Sequence, residues 1–452
     1  MKIRVRIETE FGWGERRVHA IGGLERSSID ASEAGLGLSL AEGKSILKEI
    51  QRAVLQDQVE EISEVERVCP TCSTYLPVHD RRPRRIDTLF GRVTVEAPRV
   101  RICMCRFPKL PTFKAAFSPL TRIFPDNATP ELRRLQADLG ARHSFREAAR
   151  LLNELTPCTK QNHVKIRNRL ASVAACLKDG CNDTQEASDA QSNPTDLTVF
   201  LDSAYVRSRP EYQRRNFEVI VGSIESGTGK KRRFGLSQGG ADHPIECLRS
   251  NLKAAGWREG VAVTVLSDGD PALPRLVRNA TGTDVRHILD WWHISVRIRH
   301  VETTFQTLVS QIETESSAEI AALVEKLRWR IWYGQTDRAL DTLDVLFRFA
   351  IRVREHTHGQ SNDAALSVAS RAMDLRTYLS HNLSAIANYG RRRQQGKAIS
   401  TSRAEGLVNE IANVRIGKKQ RMRWSPRGAH RVAVVRAAVL DGRLSQGLLR
   451  AA

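Results

Sequence analysis

Leu197–Asp202 (LTVFLD) and Val261–Asp268 (VAVTVLSD) are two apolar, β-branched stretches, and each runs into an aspartate. Such runs are typical of buried strands. A buried strand fixes its backbone, so an acidic residue at its end is held rigidly at the edge of the sheet. Two carboxylates from different strands can meet there and share divalent cations. Asp202 and Asp268 therefore predict a metal site suited to phosphoryl transfer.

Each aspartate also has a plainer interpretation. Taken alone, Asp202 is a strand-end turn residue, and Asp268-Gly269 is a common turn dipeptide. Asp270 is the rival of Asp268, since it lies two positions further on and next to Pro271. We prefer Asp268 because it follows the apolar strand directly.

A two-cation site needs a third carboxylate. The best candidate nearby in the pattern is Glu405, in the stretch 401–405 (TSRAE). Ser402 and Glu405 also form the S-x-x-E pattern of a helix capping box, which by itself explains the glutamate. The two roles are compatible if Glu405 begins a helix that lies against the sheet.

The charge balance favours a polyanionic partner. Of 452 residues, 71 are Lys or Arg and 51 are Asp or Glu, which gives a net charge of +20. Basic side chains set against phosphates release condensed counterions, so nucleic acid is the expected partner. The alternative is a basic, solvated surface without a partner. Met1–Glu10 lacks the apolar core of a signal peptide, and no stretch is long and apolar enough for a membrane span, so we expect a cytoplasmic protein.

The eight cysteines include two tight pairs, Cys69-Pro-Thr-Cys72 and Cys103-Met-Cys105. Without a secretory signal, tight pairs suggest metal before disulfides. Four thiolates on either side of a β-ribbon predict a structural Zn²⁺ site like that of a zinc ribbon. The second pair has one spacer residue where two are usual, and His79 is a possible substitute ligand. The alternative is a set of reduced cysteines packed beside a hairpin.

Ser144–Leu170 predicts a helix, a break and a second helix, as in a helix-turn-helix motif. We expect the turn at Thr156–Thr159 and the second helix at Lys160–Arg169. An ordinary helical hairpin with a polar outer face is the alternative. The candidate contacts to base edges and phosphates are Gln161, Asn162, Lys165, Arg167 and Arg169.

The second half of the chain predicts a mixed α/β core. Strands and helices are expected in the order β-β-β-α-β-α-β, which is that of an RNase H-like sheet. The predicted ranges are Thr198–Val206, Phe217–Glu225, Arg232–Gln238, Pro244–Ala255, Val261–Leu266, a helix after Asp268, and Val285–Leu289. Asp290 and His293 follow the last strand and could form hydrogen bonds near the metal site. A buried, satisfied histidine beside two core tryptophans is the alternative.

Six segments are expected along the chain. They are an N-terminal strand and long helix (1–66, with the helix at Ala31–Glu64), a zinc-ribbon-like segment with its β-ribbon at Thr88–Val100 (67–110), a helix-turn-helix region (130–178), the first part of the RNase H-like core (196–294), an all-helical insertion (295–393), and a core helix with a basic tail (394–452). A polar linker is expected at Gly180–Thr195.

Together these residues resemble an insertion-sequence transposase with a DDE core, of the Mutator-like group, and specifically the ISKra-four family. The resemblance covers the chain from the cysteine pairs to about Gly442. It rests on 200–202 (FLD), 266–269 (LSDG), 290–293 (DWWH), 401–405 (TSRAE), 422–425 (MRWS) and 88–91 (TLFG).

The resemblance implies a catalytic triad of Asp202, Asp268 and Glu405. It also implies an all-helical insertion over about Ser295–Arg393, which would bring the distant Glu405 back to the core. Two Mg²⁺ or Mn²⁺ ions held by the triad would support cleavage at the element's ends, followed by attack of the freed 3′ hydroxyl on target DNA. The implied partners are terminal-repeat and target duplexes and a second copy or more of the chain.

Basic residues near the C-terminus would then line a path for DNA beside the site, or else form a solvated surface. They are Arg391, Arg392, Arg393, Lys397, Lys418, Lys419, Arg421 and Arg423.

Two other functions stay open on the sequence alone. One is a DNA-binding regulator with a zinc ribbon and a helix-turn-helix motif but no catalysis. The other is an RNA-guided nuclease of the RuvC type, although such enzymes carry their zinc knuckle within the nuclease half and order their acids as Asp, Glu, Asp.

Overall fold

A computed structural model describes residues 1–26, 37–103, 105, 116–178, 194–227, 229–240, 243–312, 317–356, 358–401, 406–417 and 422–444. The chain forms two compact units, Met1–Cys181 with Gly442–Ala452, and Asn182–Asp441. Within the described part, no helix is both long enough and apolar enough to cross a membrane.

The described residues of the first unit form two β-hairpins and five helices. Its elements are β1 (Lys2–Glu10), β2 (Arg16–Glu25), α1 (Leu40–Val65), β3 (Val78–Thr88), β4 (Gly91–Arg101), β5 (Ala116–Phe117), α2 (Pro119–Ile123), α3 (Pro130–Arg142), α4 (Phe145–Leu155) and α5 (His163–Lys178).

Helix α1 begins later than the sequence predicted. Ser39 caps it in a capping box. The Ser39 hydroxyl accepts a hydrogen bond from the Glu42 N–H, and the Glu42 carboxylate accepts one from the Ser39 N–H. Such a box ends the extended chain and starts the helix at one defined position. The expected start at Ala31 is therefore wrong for the described residues 37–39, while 31–36 lie outside the described part.

Strand β3 begins ten residues before the predicted β-ribbon at Thr88–Val100. Its residues pair antiparallel with β4 from Val78↔Val100 to Thr88↔Gly91. Alternate residues of β4 are buried, and they pack on α1 around Val59. The ribbon is therefore longer than predicted, because cross-strand pairing stabilises arginines that by propensity alone suggest a loop.

Helices α3, α4 and α5 form a small bundle with Ala148, Leu152 and Ile166 in its core. Gly140 permits the close approach of α3 to α5, since a Cβ there would lie 2.8 Å from Cγ2 of Ile166. The connection between α4 and α5 covers residues 156–162, so the second helix begins three residues later than predicted and the turn is longer.

The second unit is built on a mixed five-stranded sheet. Its elements are β6 (Asp196–Arg207), β7 (Asn216–Ser226), β8 (Lys231–Ser237), α6 (Pro244–Ala254), β9 (Ala262–Ser267), α7 (Ala272–Thr281), β10 (Arg286–Leu289), α8 (Trp291–Val309), α9 (Ser317–Trp332), α10 (Thr336–His356), α11 (Gln360–His381), α12 (Tyr389–Gln394), a π-helical segment (Val408–Asn413), α13 (Val414–Ile416) and α14 (Pro426–Leu440). The β-β-β-α-β-α-β succession matches the prediction.

The strand order across the sheet is β10-β9-β6-β7-β8. Strands β6, β7 and β8 are antiparallel neighbours, while β9 runs parallel to β6 and β10 parallel to β9. Both faces are covered. Leu201 belongs to a core with α6 and α7, and its neighbour Phe200 packs on the opposite face among the helices after β10. A strand buried on both faces reads as a continuous apolar run, which explains LTVFL at its centre.

The chain after β10 is helical, as predicted, through α8, α9, α10 and α11. The basic stretch that begins at Arg391 starts within a helix, because α12 continues to Gln394. Asn388 caps this helix by accepting a hydrogen bond from the Arg391 N–H. The cap signal was hidden behind three consecutive arginines. Of the predicted linker at Gly180–Thr195, residues 180–193 lie outside the described part of the chain.

Candidate functional site

The two aspartates lie side by side where β9 ends beside the middle of β6. The expected strand end at Asp202 is wrong, because β6 continues to Arg207 through its pairing with β7. In the parallel pair β6 and β9, Phe200 faces Leu266, and Asp202 and Asp268 each follow their partner by two residues. Neighbouring strands lie about 4.8 Å apart, so this register brings the two residues close together. The charge of Asp268 also raises the pKa of Asp202, as expected of close carboxylates.

The environment of Asp202 disfavours its negative charge. Burial raises the pKa of its carboxyl, and the charges of Asp268 and Asp290 raise it further. A hydrogen bond from the Ser203 N–H (2.7 Å) and the positive field of His293 act in the opposite direction. Within the described part of the chain, no Lys or Arg nitrogen lies within 4.0 Å of the Asp202 or Asp268 carboxylate. Among the described residues, the acidic pair therefore has His293 as its neighbouring positive charge and no Lys or Arg partner, in a chain of net charge +20.

The loop after β9 is held firmly. Gly269 has φ +100°, and a Cβ there would lie 3.0 Å from both Asn382 and Leu289 side chains. The Tyr378 hydroxyl donates to the Asp268 carbonyl at 2.7 Å. Asp270 accepts from the Ala272 N–H at the start of α7 (2.8 Å), so it serves as a turn residue there.

Asp290 lies at the end of β10 and is completely buried. Its carboxylate accepts hydrogen bonds from the Trp292 N–H (2.9 Å), His293 Nδ1 (2.7 Å), the Thr401 N–H (3.0 Å) and the Thr401 hydroxyl. Burial alone would raise the pKa of Asp290, but the hydrogen bonds from His293 and Thr401 outweigh it and lower the pKa. Asp290 thus joins β10, the start of α8 and the chain that returns from the helical segment.

His293 lies between this anchor and the acidic pair. Its Nδ1 donates to Asp290, so the ring is fixed in one orientation. Burial would lower the pKa of His293, but the Asp290 hydrogen bond and the charges of Asp268 and Asp202 raise it. A cationic His293 partly offsets the negative charge of the pair. The alternative of a fully buried, inert histidine is not what the fold shows, because the side chain is 27% exposed.

Glu405 lies outside the described residues, as do Ser402 and the capping box. The described chain leads up to it. Thr401 is completely buried and bonded to Asp290, and two residues earlier the Ile399 carbonyl accepts from the Trp291 N–H at 3.0 Å. The stretch 399–401 is therefore fixed beside the end of β10.

A second cluster lies in the first unit, where the sulfur atoms of Cys69, Cys72, Cys103 and Cys105 all lie within 4.8 Å of one another. Cys69 Sγ is 3.6 Å from Cys105 Sγ, and Cys72 Sγ is 3.4 Å from Cys103 Sγ. All four are free cysteines. Sulfurs bound to zinc at about 2.3 Å in a tetrahedron lie about 3.8 Å apart, so the cluster could hold a structural zinc ion.

The first cysteine pair has the local structure of a metal knuckle. The Ser73 N–H donates to the Cys69 carbonyl at 2.9 Å, and Ser73 adopts a left-handed φ of 56°. The Thr71 and Cys72 N–H groups lower the pKa of Cys69, and hydrogen bonds from Thr74 lower the pKa of Cys72 to about 6. Donors that stabilise thiolates favour metal binding. Among the described residues, His79 is not part of the cluster.

The residues proposed for α5 divide into exposed and buried sets. Asn162, Lys165 and Arg167 are exposed, with Asn162 accepting from the Lys165 N–H. Gln161 is 4% exposed and bonded to Gln136 and Asn153, so its expected contact with base edges is wrong for this fold. Arg169 pairs with Asp126 at 2.6 Å, which makes it a bundle ion pair.

The arginines of α12 divide in the same way. Arg391 and Arg393 are exposed, as is Lys397. Arg392 is 7% exposed, and its guanidinium donates twice to the Ala398 carbonyl, so it stabilises the loop instead of facing solvent. Lys418, Lys419 and Arg421 lie outside the described residues. Arg423 is exposed.

Sequence reasoning missed three side chains that shape the site: Thr401, Tyr378 and Glu218. Glu218, on β7, is a half-buried acid whose pKa is raised by burial and by the charges of Asp270 and Asp268. It pairs in register with Tyr205, so it lies on the face of the sheet opposite Asp202. A lone Thr, Tyr or Glu in an ordinary context carries no pattern that could have indicated these positions.

Comparisons with known proteins give little. No protein-family model matches the chain, and no curated protein matches it. Among solved structures, the chain is similar to the Drosophila P element transposase strand transfer complex, with 12% identity and a TM-score of 0.33 over 77% of this chain and 96% of that one. At this TM-score the similarity assigns no function, and the functional conclusion depends on the residues of this chain.

Proposed function

We propose that the chain is a DNA transposase of the DDE type, with Asp202, Asp268 and Glu405 as its catalytic carboxylates. The observation that carries the proposal is this acidic pair, in which burial and the charge of Asp268 raise the pKa of Asp202 and which has no Lys or Arg partner among the described residues. Such a pair is stabilised by a divalent cation, and hard cations prefer carboxylate oxygens. The ISKra-four resemblance and the six-segment organisation are parts of the same proposal.

The sheet supports this reading as an RNase H-like core. Three antiparallel strands are followed by two parallel ones in the order β10-β9-β6-β7-β8. Asp202 lies within the central strand β6, and Asp268 directly follows its neighbour β9. The cysteine cluster lies in the first unit, and the acids lie in the second. That separation argues against the RuvC-type alternative, in which the zinc knuckle lies within the nuclease half.

Mg²⁺ or Mn²⁺ would be held by Asp202 and Asp268, with Glu405 as a third ligand, and would stabilise the charge that develops on an attacked phosphodiester. The remaining functions fall to the chain itself. Tyr378 and Gly269 fix the Asp268 loop. Asp290 orients His293 and holds Thr401, four residues before Glu405. His293 places positive charge beside both aspartates, and this charge acts to lower the pKa of Asp202 and so favours its ionised form.

Basic, exposed groups in both units supply DNA contacts in this proposal. They are Lys165 and Arg167 on α5, and Arg391, Arg393 and Lys397 around α12. The exposed amide of Asn162, just before α5, is a further proposed contact, as are Lys418 and Lys419, which lie outside the described residues. Phosphate contacts position a duplex and base contacts specify its sequence.

The test is Mg²⁺-dependent nicking of a plasmid that carries the coding region with its flanking DNA. Asp202→Asn, Asp268→Asn and Glu405→Gln should each lower the nicking rate by a factor of at least about 10³, because each removes a charged ligand of the cation. DNA binding should be retained.

Asp270→Asn is the matched control, since an asparagine still accepts the Ala272 N–H and keeps the turn. Its rate should stay near that of the wild type. Full activity of Glu405→Gln would return Glu405 to a capping role, and a wild type that binds but never nicks would leave a DNA-binding regulator.

A further inference from the structure

The hairpin that joins β6 to β7 forms a strongly basic cavity outside the acidic site. The cavity has a volume of about 410 Å³. Its lining includes five arginines: Arg207, Arg209, Arg214, Arg215 and Arg423. All five are exposed at the surface. Four come from one hairpin, and the fifth comes from a segment more than two hundred residues later.

Tertiary pairing brings Arg423 to this hairpin. Ser208 forms a parallel bridge with Trp424, the Trp424 N–H donates to the Arg207 carbonyl at 2.9 Å, and the Arg209 N–H donates to the Trp424 carbonyl at 3.0 Å. Trp424 is 5% exposed, and the buried Arg415 guanidinium lies 5.0 Å from its ring centre. The 422–425 segment therefore has a structural purpose, which is to complete the cavity.

The cavity contains almost no compensating negative charge. At its rim, Arg209 forms an ion pair with the exposed Glu211 at 3.8 Å. Within the described residues, no carboxylate lies within 4.0 Å of the guanidinium groups of Arg207, Arg214, Arg215 or Arg423. Converging guanidinium groups repel one another, so the arrangement favours an anion between them.

A buried hydroxyl points to the same conclusion. Ser208 lines the cavity and is 7% exposed, and its Oγ is buried without a hydrogen-bond partner among the described residues. Buried polar atoms nearly always have a hydrogen-bond partner. The Ser208 hydroxyl therefore favours a ligand in the cavity that can accept a hydrogen bond from it. A phosphate oxygen meets that need, and guanidinium groups bind phosphate with two parallel hydrogen bonds.

We infer that this cavity, the arginine pocket, binds a backbone phosphate of the DNA whose cleavage is proposed above. Arg207 lies five residues beyond Asp202 on the same strand, roughly 17 Å at about 3.4 Å per residue. That separation corresponds to about five steps of a duplex rising 3.4 Å per base pair. Ser208 of the pocket follows Asp202 by six residues, so the two side chains lie on the same face of the extended chain, and one duplex can reach the acidic pair and the pocket together. This inference rests on the proposed function for its substrate.

The experiment measures binding of a fluorescent 30-base-pair duplex to the full-length chain at several KCl concentrations, in buffer without Mg²⁺, Mn²⁺ or a chelator, so that a metal held by the cysteine cluster is retained. The double variant Arg214→Ala/Arg423→Ala should bind about tenfold more weakly, and its slope of log affinity against log salt should fall by about 1 to 2, because each lost phosphate contact releases one counterion fewer. Ser208→Ala should weaken binding about threefold without changing that slope.

Lys253→Ala/Arg275→Ala is the matched control, because both side chains are exposed on α6 and α7 and the same charge is removed. An equal loss in this control, or unchanged binding by both the arginine and Ser208 variants, would overturn the pocket. Protection of the wild type from thermal unfolding by inorganic pyrophosphate, with no change in DNA binding between variants, would assign the cavity to a small phosphate ligand and would also overturn it.

The readout separates this inference from the proposed function. The duplex can bind without Mg²⁺, so the binding measurement does not require cleavage. A chain that binds through the pocket but never nicks DNA would refute the transposase proposal alone, and a chain that nicks but ignores the pocket variants would refute the pocket alone.

Discussion

Asp290 and Asp202 belong to the same sheet, but the surroundings of their carboxylates shift the two pKa values in opposite directions. Asp290 is completely buried, yet four hydrogen bonds lower its pKa. Asp202 is more exposed, yet burial and neighbouring negative charges raise its pKa. The difference separates a carboxylate that stabilises the fold from one whose charge the fold leaves uncompensated. Uncompensated charge on a rigid sheet is typical of a site that awaits a cation.

The largest expected effect comes from breaking the satisfied member. Asp290→Ala should lower the free energy of unfolding by about 3–5 kcal/mol, because it leaves His293, Thr401 and the start of α8 without their buried acceptor. Urea unfolding followed by circular dichroism measures this. Asp284→Ala is the control, since its side chain is 88% exposed and its loss should stay within about 0.5 kcal/mol.

The sign of the pH dependence sharpens this test. The folded-state pKa of Asp290 is lowered, so its contribution is present above the unfolded pKa and is lost as the pH falls through the folded pKa. The stability gap between wild type and Asp290→Ala should therefore narrow in acid. A gap that stays constant down to the lowest folded pH would show that Asp290 acts by packing instead of charge.

A smaller effect of opposite sign is expected at the uncompensated member. In EDTA at neutral pH, Asp202→Asn should stabilise the chain by about 1 kcal/mol, because it removes a charge beside Asp268. A folded-state pKa raised above the unfolded one means that the carboxyl favours folding at low pH and that this contribution is lost as the pH rises through the folded pKa. The advantage of Asp202→Asn should accordingly grow with pH.

Added Mg²⁺ should reverse that order. It should raise the melting temperature of the wild type and leave Asp202→Asn unchanged, since the cation binds only where both carboxylates are ionised. Differential scanning calorimetry with and without 5–10 mM Mg²⁺, roughly a saturating range for exposed carboxylate sites, makes the comparison. Equal shifts in both proteins would mean that Mg²⁺ binds elsewhere.

The smallest effect concerns the link between the two acids and the chain that leads to Glu405. Thr401→Val removes one donor to Asp290 but keeps the Thr401 N–H, so we expect a loss of about 1 kcal/mol. Thr307→Val, which removes an exposed hydroxyl that donates to the Thr303 carbonyl of its own helix, is the matched control. If the two variants lose the same stability, Thr401 has no special part in fastening the return chain.

Much of the second unit could be predicted from the residues. Continuous apolar strands such as LTVFL and the alternating helices that follow them carry a strong local signal, so the order of elements was predictable. The cysteine pairs were equally legible, because thiolate spacing is a short-range pattern. The predictions failed where strand pairing outweighs local propensity. Strand β3 is an example, because its arginines do not by themselves predict a strand and the pairing with β4 stabilises it.

The nucleic-acid contacts were the hardest to predict, because a basic residue looks the same in the sequence whether it is buried or exposed. Gln161 and Arg392 both matched a contact pattern, and both are buried with hydrogen bonds to their own units. Arg423, which the sequence placed among many tail residues, instead joins a hairpin far away in the chain. Burial and partners depend on packing between distant segments, and no local pattern reports them.

The sequence by itself determined that two rigid aspartates, two cysteine pairs and an excess of positive charge belong to one chain, since these depend on residue type and short spacing. Only the tertiary structure decided that Asp202 and Asp268 share a parallel register, that Asp290 is satisfied while Asp202 is not, and that Arg423 completes an arginine pocket with Ser208. The physical reason is that charge compensation is a property of three-dimensional neighbours, which sequence order does not record.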